Sequence, residues 1–424
     1  MAKLNDVFLD ESILNELRSN FSYLEKDFYG NDRLFFENSG GSLRLKSVTE
    51  EDARIASIPD CPERTHDVAK LIREIMEKGE KDIRFLLNAS NGSIVPSSTA
   101  SKLMFEIVPR IVEHAEGTNI VTTSLEHPSS FDACQMAADR FKKELRVAKT
   151  NVESGSVDTE SLYDLIDEDT ALLSIILTSN ITGAMHDIQT IVQKVRSINP
   201  NIYIVVDAVQ AAAHGIIDVD AWDIDALNIA PYKMFGNRGM AYAYVSDRVS
   251  IIPHDRLLAT PENNWNIGSP VPAHYAGFSK IIDYVCSIGA HFVHSSNRRD
   301  LIVEGMKQIH LQEQAILNRL IHGAKGVKGI KDMDHVKLYF AKENGLHQDL
   351  ILAITFENLT SAEAVQAYSE NNILVYDRQA SSHYSKRILE SVELDSIVRV
   401  SPLHCHNQDD VDTFLKVTDK MSSL

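Results

Sequence analysis

Hydrophobic residues recur along this chain with two different spacings. In three stretches they lie three or four positions apart, which predicts amphipathic helices over 10–28, 65–78 and 97–114. Later runs are short and almost wholly apolar, as is typical of buried strands in a parallel sheet, and they cover 119–123, 171–177, 202–206, 224–229 and 240–245. Predicted helices separate these strands, and the alternation favours a doubly wound α/β domain.

The pattern changes beyond about residue 250. A long helical region over 279–323, interrupted near 294–296, precedes strands predicted at 350–356 and 397–401 and helices predicted at 361–371 and 409–421. This mixture predicts a smaller α+β domain. We place the boundary between the two domains near residue 290.

Composition narrows the class of protein. The chain has 424 residues, 44% of them hydrophobic and 24% charged, as in ordinary soluble proteins of two domains. Its net charge of −18 argues against a nucleic-acid-binding protein. Because we find neither a long apolar run nor a signal core, we expect no membrane span and a cytoplasmic location. The four cysteines form no CxxC pair, so reduced thiols and no metal site are expected.

Polar side chains follow the predicted strands at their carboxyl ends, where doubly wound sheets bind ligands. They are Ser90, His127, Asn180, Asp207 and Lys233. An aspartate ending one strand and a lysine just past the next is how a protein holds pyridoxal phosphate. Taken alone, the lysine is more simply a solvated loop residue and the aspartate a helix cap. The convergence of these groups on one sheet edge favours a cofactor site.

Two glycine-bearing loops are candidate ligand contacts. The loop 88–93 precedes the helix predicted from residue 97, and free N–H groups at a helix start attract phosphate. The pair Gly40 and Gly41 would let a ligand approach the backbone closely. The alternative for the loop 88–93 is an ordinary helix start, and the alternative for the glycine pair is a plain turn.

The motifs and their order resemble the class-V aminotransferases, the cysteine-desulfurase-like group of fold-type I pyridoxal-phosphate enzymes. The resemblance covers nearly the whole chain. It rests on Lys233 together with Glu126-His127-Pro128-Ser129, Asn180-Ile181-Thr182-Gly183, Asp207-Ala208-Val209-Gln210 and Arg399-Val400-Ser401.

This resemblance implies the pyridoxal-phosphate-dependent transferase fold of type I. It consists of a large α/β domain with a mainly parallel central sheet and a smaller α+β C-terminal domain. The implied division is an N-terminal segment, 1–45, that contributes to the small domain and the substrate entrance, a large cofactor-binding domain, 46–290, and a small domain, 291–424. A homodimer with shared active sites is also implied.

The resemblance further implies roles for individual residues. Lys233 would form the Schiff base and move protons, Asp207 would protonate the pyridine nitrogen, and His127 would stack on the ring. Other implied cofactor contacts are Ala89, Ser90, Asn180, Gln210 on the phenolic oxygen, and Ser269 from a neighbouring subunit. Implied substrate contacts are Asn38, Gly40, Gly41, Asn180 and Arg399, the last as a carboxylate clamp.

The chain also departs from the desulfurases of this group. Ala230 and Tyr232 stand where desulfurases have serine and histidine beside the lysine, and the loop 377–384 lacks the nucleophilic cysteine. Cys405 is more simply structural. Since a persulfide needs a thiolate, a desulfurase proper is disfavoured.

We therefore predict a pyridoxal-phosphate-dependent enzyme acting on a small α-amino acid, of the class-V aminotransferase or C–S/β-lyase type. A desulfurase proper and a non-catalytic protein of this fold are the alternatives. Candidate readers of the substrate side chain are Arg378, His383, His404 and His406.

Overall fold

The computed structural model describes residues 5–341 and 347–423. Its strands are β1 (Phe21–Ser22), β2 (Leu34–Phe35), β3 (Arg44–Leu45), β4 (Ser93–Ser97), β5 (Asn119–Thr123), β6 (Glu144–Ala148), β7 (Thr170–Ile176), β8 (Tyr203–Asp207), β9 (Ala226–Ile229), β10 (Ala241–Val245), β11 (Gly323–Ala324), β12 (Val327–Lys328), β13 (Val336–Tyr339), β14 (Leu352–Phe356), β15 (Ile373–Leu374), β16 (Tyr376–Gln379) and β17 (Ser396–Val400).

The helices of the described residues surround these strands. They are α1 (Glu11–Ser19), α2 (Lys46–Ala56), α3 (Asp67–Leu87), α4 (Ala100–His114), α5 (Pro128–Phe141), α6 (Thr159–Asp164), α7 (Ile188–Ile198), α8 (Val219–Trp222), α9 (Asp247–Ser250), α10 (Pro272–Ala290), α11 (Arg298–His322), α12 (Ser361–Glu370), α13 (Lys386–Ser391) and α14 (Gln408–Ser422). None of these helices is both long and apolar enough to cross a membrane.

A seven-stranded sheet forms the centre of the large domain, in the order β4-β10-β9-β8-β7-β5-β6. The pairs from β9 through β6 are parallel, and β10 pairs antiparallel with both β9 and β4. Every residue of β7 is buried, as expected for a strand covered on both faces. The predicted α/β fold with a mainly parallel sheet is confirmed.

A second, antiparallel sheet lies in the C-terminal part, in the order β13-β14-β17-β16. Strand β2 pairs in parallel with β15, which joins the N-terminal segment to this part of the chain. The domain limits at 45 and 290 stay predictions, and the interruption predicted near 294–296 lies between α10 and α11.

Two predicted elements differ in the structure. The helix predicted over 10–28 ends at Ser19, because Phe21 leaves the helix, pairs with Leu45 and packs edge-on against Phe235. The helix predicted from residue 97 begins at Ala100, and the edge strand β4 precedes it. This unpredicted strand changes the position of the loop 88–93.

Candidate active site

The carboxyl ends of the central strands enclose a cavity of about 630 Å³. β5, β7, β8 and β9 run parallel, so the residues that follow them meet at one edge. The cavity is lined by His127, Asn180, Asp207, Gln210, Lys233 and Arg238, among others. Five of these six were predicted as site residues from the sequence.

Lys233 lies in a short 3₁₀ turn, Pro231–Lys233, just past the end of β9. The residue is 7% exposed, and its Nζ donates hydrogen bonds to the carbonyl of Ser39 and to Oε1 of Gln210 at 3.1 Å. Burial, followed by the positive charge of Arg399, lowers the pKa of this amine to about 7. A substantial fraction of Lys233 is therefore neutral at pH 7.

Asp207 is the last residue of β8 and is 3% exposed. Its Oδ2 accepts a hydrogen bond from the Ser130 hydroxyl at 2.7 Å, and its Oδ1 accepts one from the Val209 N–H at 3.1 Å. These two hydrogen bonds fix the orientation of the carboxylate at the cavity wall.

His127 caps the N-terminus of α5, with Nδ1 2.7 Å from the Ser129 hydroxyl. Burial lowers the pKa of its imidazole, so the ring is neutral. The ring stacks with Tyr384 at 6.3 Å between centroids. The preceding Glu126 is fully buried, and burial followed by the negative charge of Asp207 raises its pKa to about 8, so it carries a proton at pH 7.

An anion-binding end is formed by the N-terminus of α4, a helix of 15 residues. Ser98, Thr99, Ala100 and Ser101 line the cavity there, and the Thr99 hydroxyl accepts a hydrogen bond from the Lys102 N–H at 3.1 Å. The remaining free N–H groups and the helix dipole favour a phosphate at this position.

Ala89 and Ser90 do not line the cavity. They follow α3 at the opposite end of β4, on the order of 13 Å away along the strand, and the Ser90 N–H donates to Asp220 at 3.1 Å. The sequence interpretation joined the loop 88–93 directly to α4 because it missed the strand between them. The signal that could have found the anion-binding end was Thr99, a capping residue immediately before the apolar helix pattern.

Arg399 is 1% exposed, and both ends of its guanidinium are bonded within the chain. Nη2 lies 2.5 Å from Oε1 of Glu37, and Nη1 donates to the Asn180 carbonyl at 2.9 Å. The predicted carboxylate clamp is therefore paired with an acid of the N-terminal segment. The sequence predicted Asn38 as a substrate contact, but it did not indicate a role for the neighbouring Glu37.

Arg378 lies beside Arg399 on the same face of the small sheet. Tyr376 pairs with Arg399 across β16 and β17, and Arg378 is two residues farther along the strand, where side chains point to the same face. Its Nε is buried without a hydrogen-bond partner. This nitrogen of Arg378, like Nε of Arg399, is thus free to bind an anionic ligand, although neither arginine is among the residues that line the cavity.

The remaining predicted substrate contacts lie in the N-terminal segment, and one of them lines the cavity. Gly40 does so, and its carbonyl accepts a hydrogen bond from Arg238 at 3.0 Å. Gly41 has a φ of 155°, which L side chains rarely adopt, and a Cβ there would also lie 2.6 Å from the movable Arg238 guanidinium. Asn38 donates to the Ser401 carbonyl at 3.0 Å, a contact that holds the segment in place.

Ser269 is exposed and lines a separate cavity of about 220 Å³ that also touches Ser98. A contact from this loop to a neighbouring subunit stays a prediction.

The C-terminal histidines and Cys405 lie apart from the cavity lining. His404 and Cys405 are fully buried, and burial raises the pKa of the Cys405 thiol well above its ordinary value. His406 accepts a hydrogen bond from the Leu403 N–H, and His383 packs on Tyr384. His404 has a partner at one ring nitrogen, Nε2, which lies 2.7 Å from the Tyr284 hydroxyl.

The groups around the cavity fit pyridoxal phosphate. The start of α4 would hold the phosphate, Asp207 the pyridine nitrogen, His127 the ring face, and Lys233 the aldehyde carbon. Asn180 Oδ1 and Ser39 Oγ are buried without hydrogen-bond partners, so polar groups remain for a ligand.

Comparisons with known proteins agree with this arrangement. The aminotransferase class-V family model matches residues 36–322. The cysteine desulfurase of Wigglesworthia glossinidia brevipalpis is 21% identical over 433 residues, covering 95% of this chain and 96% of that protein. The cysteine desulfurase IscS of Shewanella sediminis is 30% identical over 200 residues, covering 46% of this chain and 47% of that protein.

Solved structures share the fold. The apo cysteine desulfurase from Thermococcus onnurineus NA1 has a TM-score of 0.80 at 18% identity, covering 96% of this chain and 98% of that one. The cysteine desulfurase CsdA (S-sulfonic acid) from Escherichia coli has a TM-score of 0.78 at 18% identity, covering 98% of each chain. Since the family model spans more than half of the sequence, the chain belongs to the class-V aminotransferases, a family of pyridoxal-phosphate-dependent enzymes.

Proposed function

We propose that this enzyme acts on a small α-amino acid and is of the aminotransferase or C–S/β-lyase type. The observation that carries the proposal is Lys233, a buried amine with a pKa of about 7, in one cavity with Asp207 and the N-terminus of α4. Bound pyridoxal phosphate supplies an electron sink that weakens the bonds at the Cα of an amino acid.

The chain's own groups then have separate roles. Lys233 attaches the cofactor and moves the proton at Cα, because its low pKa leaves it partly neutral near pH 7. Asp207 holds a proton at the pyridine nitrogen, and neutral His127 covers one ring face. Arg378, beside the paired Arg399, takes the substrate carboxylate.

A desulfurase proper is the second candidate, since the relatives named above are cysteine desulfurases. Among the described residues no cysteine lines the cavity, and Cys134, Cys286 and Cys405 are buried. Burial raises the pKa of Cys134 to about 12 and that of Cys286 to about 11, which opposes thiolate formation. We therefore favour a reaction without a persulfide on this chain.

An absorption spectrum tests the proposed function. The purified protein, incubated with pyridoxal phosphate and desalted, is expected to keep an absorption band near the visible edge. Lys233→Ala should lose this band, whereas Lys307→Ala, which removes an exposed lysine paired with Glu304, should keep it.

The same preparation, given single amino acids, is then assayed separately for keto acid, for sulfide or sulfite, and for carbon dioxide. A colourless wild-type protein, or an unchanged band in Lys233→Ala, would contradict the proposal.

A further inference from the structure

A second cluster of titratable side chains lies next to Gln210. It contains His214, Glu313, Asp349 and His404, and each of these residues is at most 6% exposed. They come from four parts of the chain: the turn after β8, the middle of α11, the segment before β14 and the segment after β17. The proposed reaction uses none of them.

The ligand atoms of three of these residues lie close enough together to share one metal ion, and His404 lies beside one of them. His214 Nδ1 lies 2.9 Å from Glu313 Oε1 and 3.6 Å from Asp349 Oδ1, and His404 Nδ1 lies 3.9 Å from Glu313 Oε1. Those of His214, Glu313 and Asp349 all lie within 4.8 Å of one another. Two tetrahedral ligands bound at about 2.0–2.1 Å are about 3.3 Å apart, so the observed distances bracket the expected one.

The charges of the cluster are compatible with a divalent cation. Two neutral imidazoles, two carboxylates and one divalent cation sum to zero, and so does the cluster with one proton on His214 and one on a carboxylate. Neutrality therefore permits the ion, and the unpartnered atoms of the cluster are the observation that points to it.

Two buried atoms of the cluster lack hydrogen-bond partners. They are Asp349 Oδ2 and His404 Nδ1. The other ring nitrogen of His404 lies 2.7 Å from the Tyr284 hydroxyl, which fixes the ring with Nδ1 facing Glu313. An outer hydrogen bond of this kind orients a metal-binding histidine. Buried polar atoms without partners are uncommon, and a bound ion would give both of these a partner.

We propose that His214, Glu313 and Asp349 bind one divalent transition-metal ion, and that a small shift of His404, whose Nδ1 lies 3.9 Å from Glu313 Oε1, completes the coordination by two nitrogens and two oxygens. Mixed imidazole and carboxylate ligands suit zinc, iron, manganese or cobalt. His214 lies four residues after Gln210, and their side-chain nitrogens are 3.4 Å apart. The ion would thus hold the turn after β8 against α11 and the C-terminal part of the chain.

Metal analysis of the full chain, purified without a histidine tag, tests the site. After incubation with zinc and desalting, about one zinc per chain should remain. Glu313→Gln and Asp349→Asn should each lower the affinity for zinc at least about tenfold. His114→Gln, a change to an exposed histidine on α4, is the control and should retain zinc as the wild type does. Cobalt in place of zinc should give the visible absorption of a tetrahedral ion.

Retention of less than about a tenth of an equivalent of zinc, iron, manganese or cobalt by the wild type would overturn the proposal. This measurement is made on the wild-type protein, so it tests the proposal even if a variant fails to fold. Wild-type zinc affinity in both Glu313→Gln and Asp349→Asn would also overturn it. Metal content is independent of the absorption band of the cofactor, so the two proposals can fail separately.

Discussion

At the scale of single residues, the chemistry of the cavity is set by which charges are paired. Arg399 is bonded to Glu37 and to the Asn180 carbonyl, and Asp207 is bonded to Ser130. Lys233 has hydrogen bonds but no carboxylate within bonding distance among its described contacts, and the neighbouring arginines oppose its protonation. The paired side chains are fixed in position by their partners, whereas the unpaired side chains can bind a ligand.

The low pKa of Lys233 predicts a distinctive pH dependence of its reactivity. The neutral amine is the nucleophile, and its fraction rises as the pH increases through about 7. Carbamoylation of Lys233 by cyanate in the cofactor-free protein should therefore be half-maximal near pH 7, as measured by mass spectrometry. Exposed lysines in general should require about pH 10.4, and Lys307 serves as the comparison within the same chain. A Lys233 profile that matches that of Lys307 would show that the amine is not perturbed.

Arg378 is expected to control affinity for carboxylates. Arg378→Gln should weaken binding of an unreactive carboxylate to the cofactor-free protein at least about tenfold, since hydrogen bonds to charged groups contribute about 1.5–3 kcal/mol. Titration calorimetry measures this directly. Arg140→Gln, at a guanidinium beside Phe141 on α5, is the control. Equal affinities in the two variants would assign the carboxylate to another group.

At the scale of elements, a single strand explains why part of the site could not be predicted. The residues after β5, β7, β8 and β9 could be placed together from the sequence, because parallel strands end at one edge. Strand β4 contains Pro96 and carries only Val95 as a fully buried residue, so its apolar pattern is weak. Because this strand was not predicted, the phosphate contacts were expected at its opposite end, at Ala89 and Ser90.

The N-terminus of α4 predicts two opposite effects of one acidic substitution. Ser101→Asp places a negative charge in the first turn, which should stabilise the cofactor-free protein by about 0.3–1 kcal/mol. It should also weaken binding of pyridoxal phosphate at least about tenfold, since unit charges about 6 Å apart near a protein surface repel by about 3 kcal/mol. Thermal unfolding and equilibrium titration measure the two effects.

Ser90→Asp, at the position first expected to bind the phosphate, should leave the affinity for pyridoxal phosphate unchanged. If instead Ser90→Asp weakened the binding of pyridoxal phosphate and Ser101→Asp did not, the loop 88–93 would be the phosphate site.

At the scale of the whole molecule, the fold and the family were predictable because the order of the motifs is kept where sequence identity is low. The pairing of Glu37 with Arg399 was not predictable, since it joins residues 362 positions apart and depends on how the sheets are placed. The cluster around His214 was missed for the same reason: its four members share no spacing in the sequence.

The contact between Glu37 and Arg399 also bears on how the enzyme is made. The segment that carries Glu37 is synthesised long before its strand partner β15 and its ion-pair partner Arg399. Contacts so distant in sequence form late in folding. A nascent chain that has not yet reached Arg399 would therefore have an incomplete substrate end, and the enzyme would become competent only after this residue has left the ribosome.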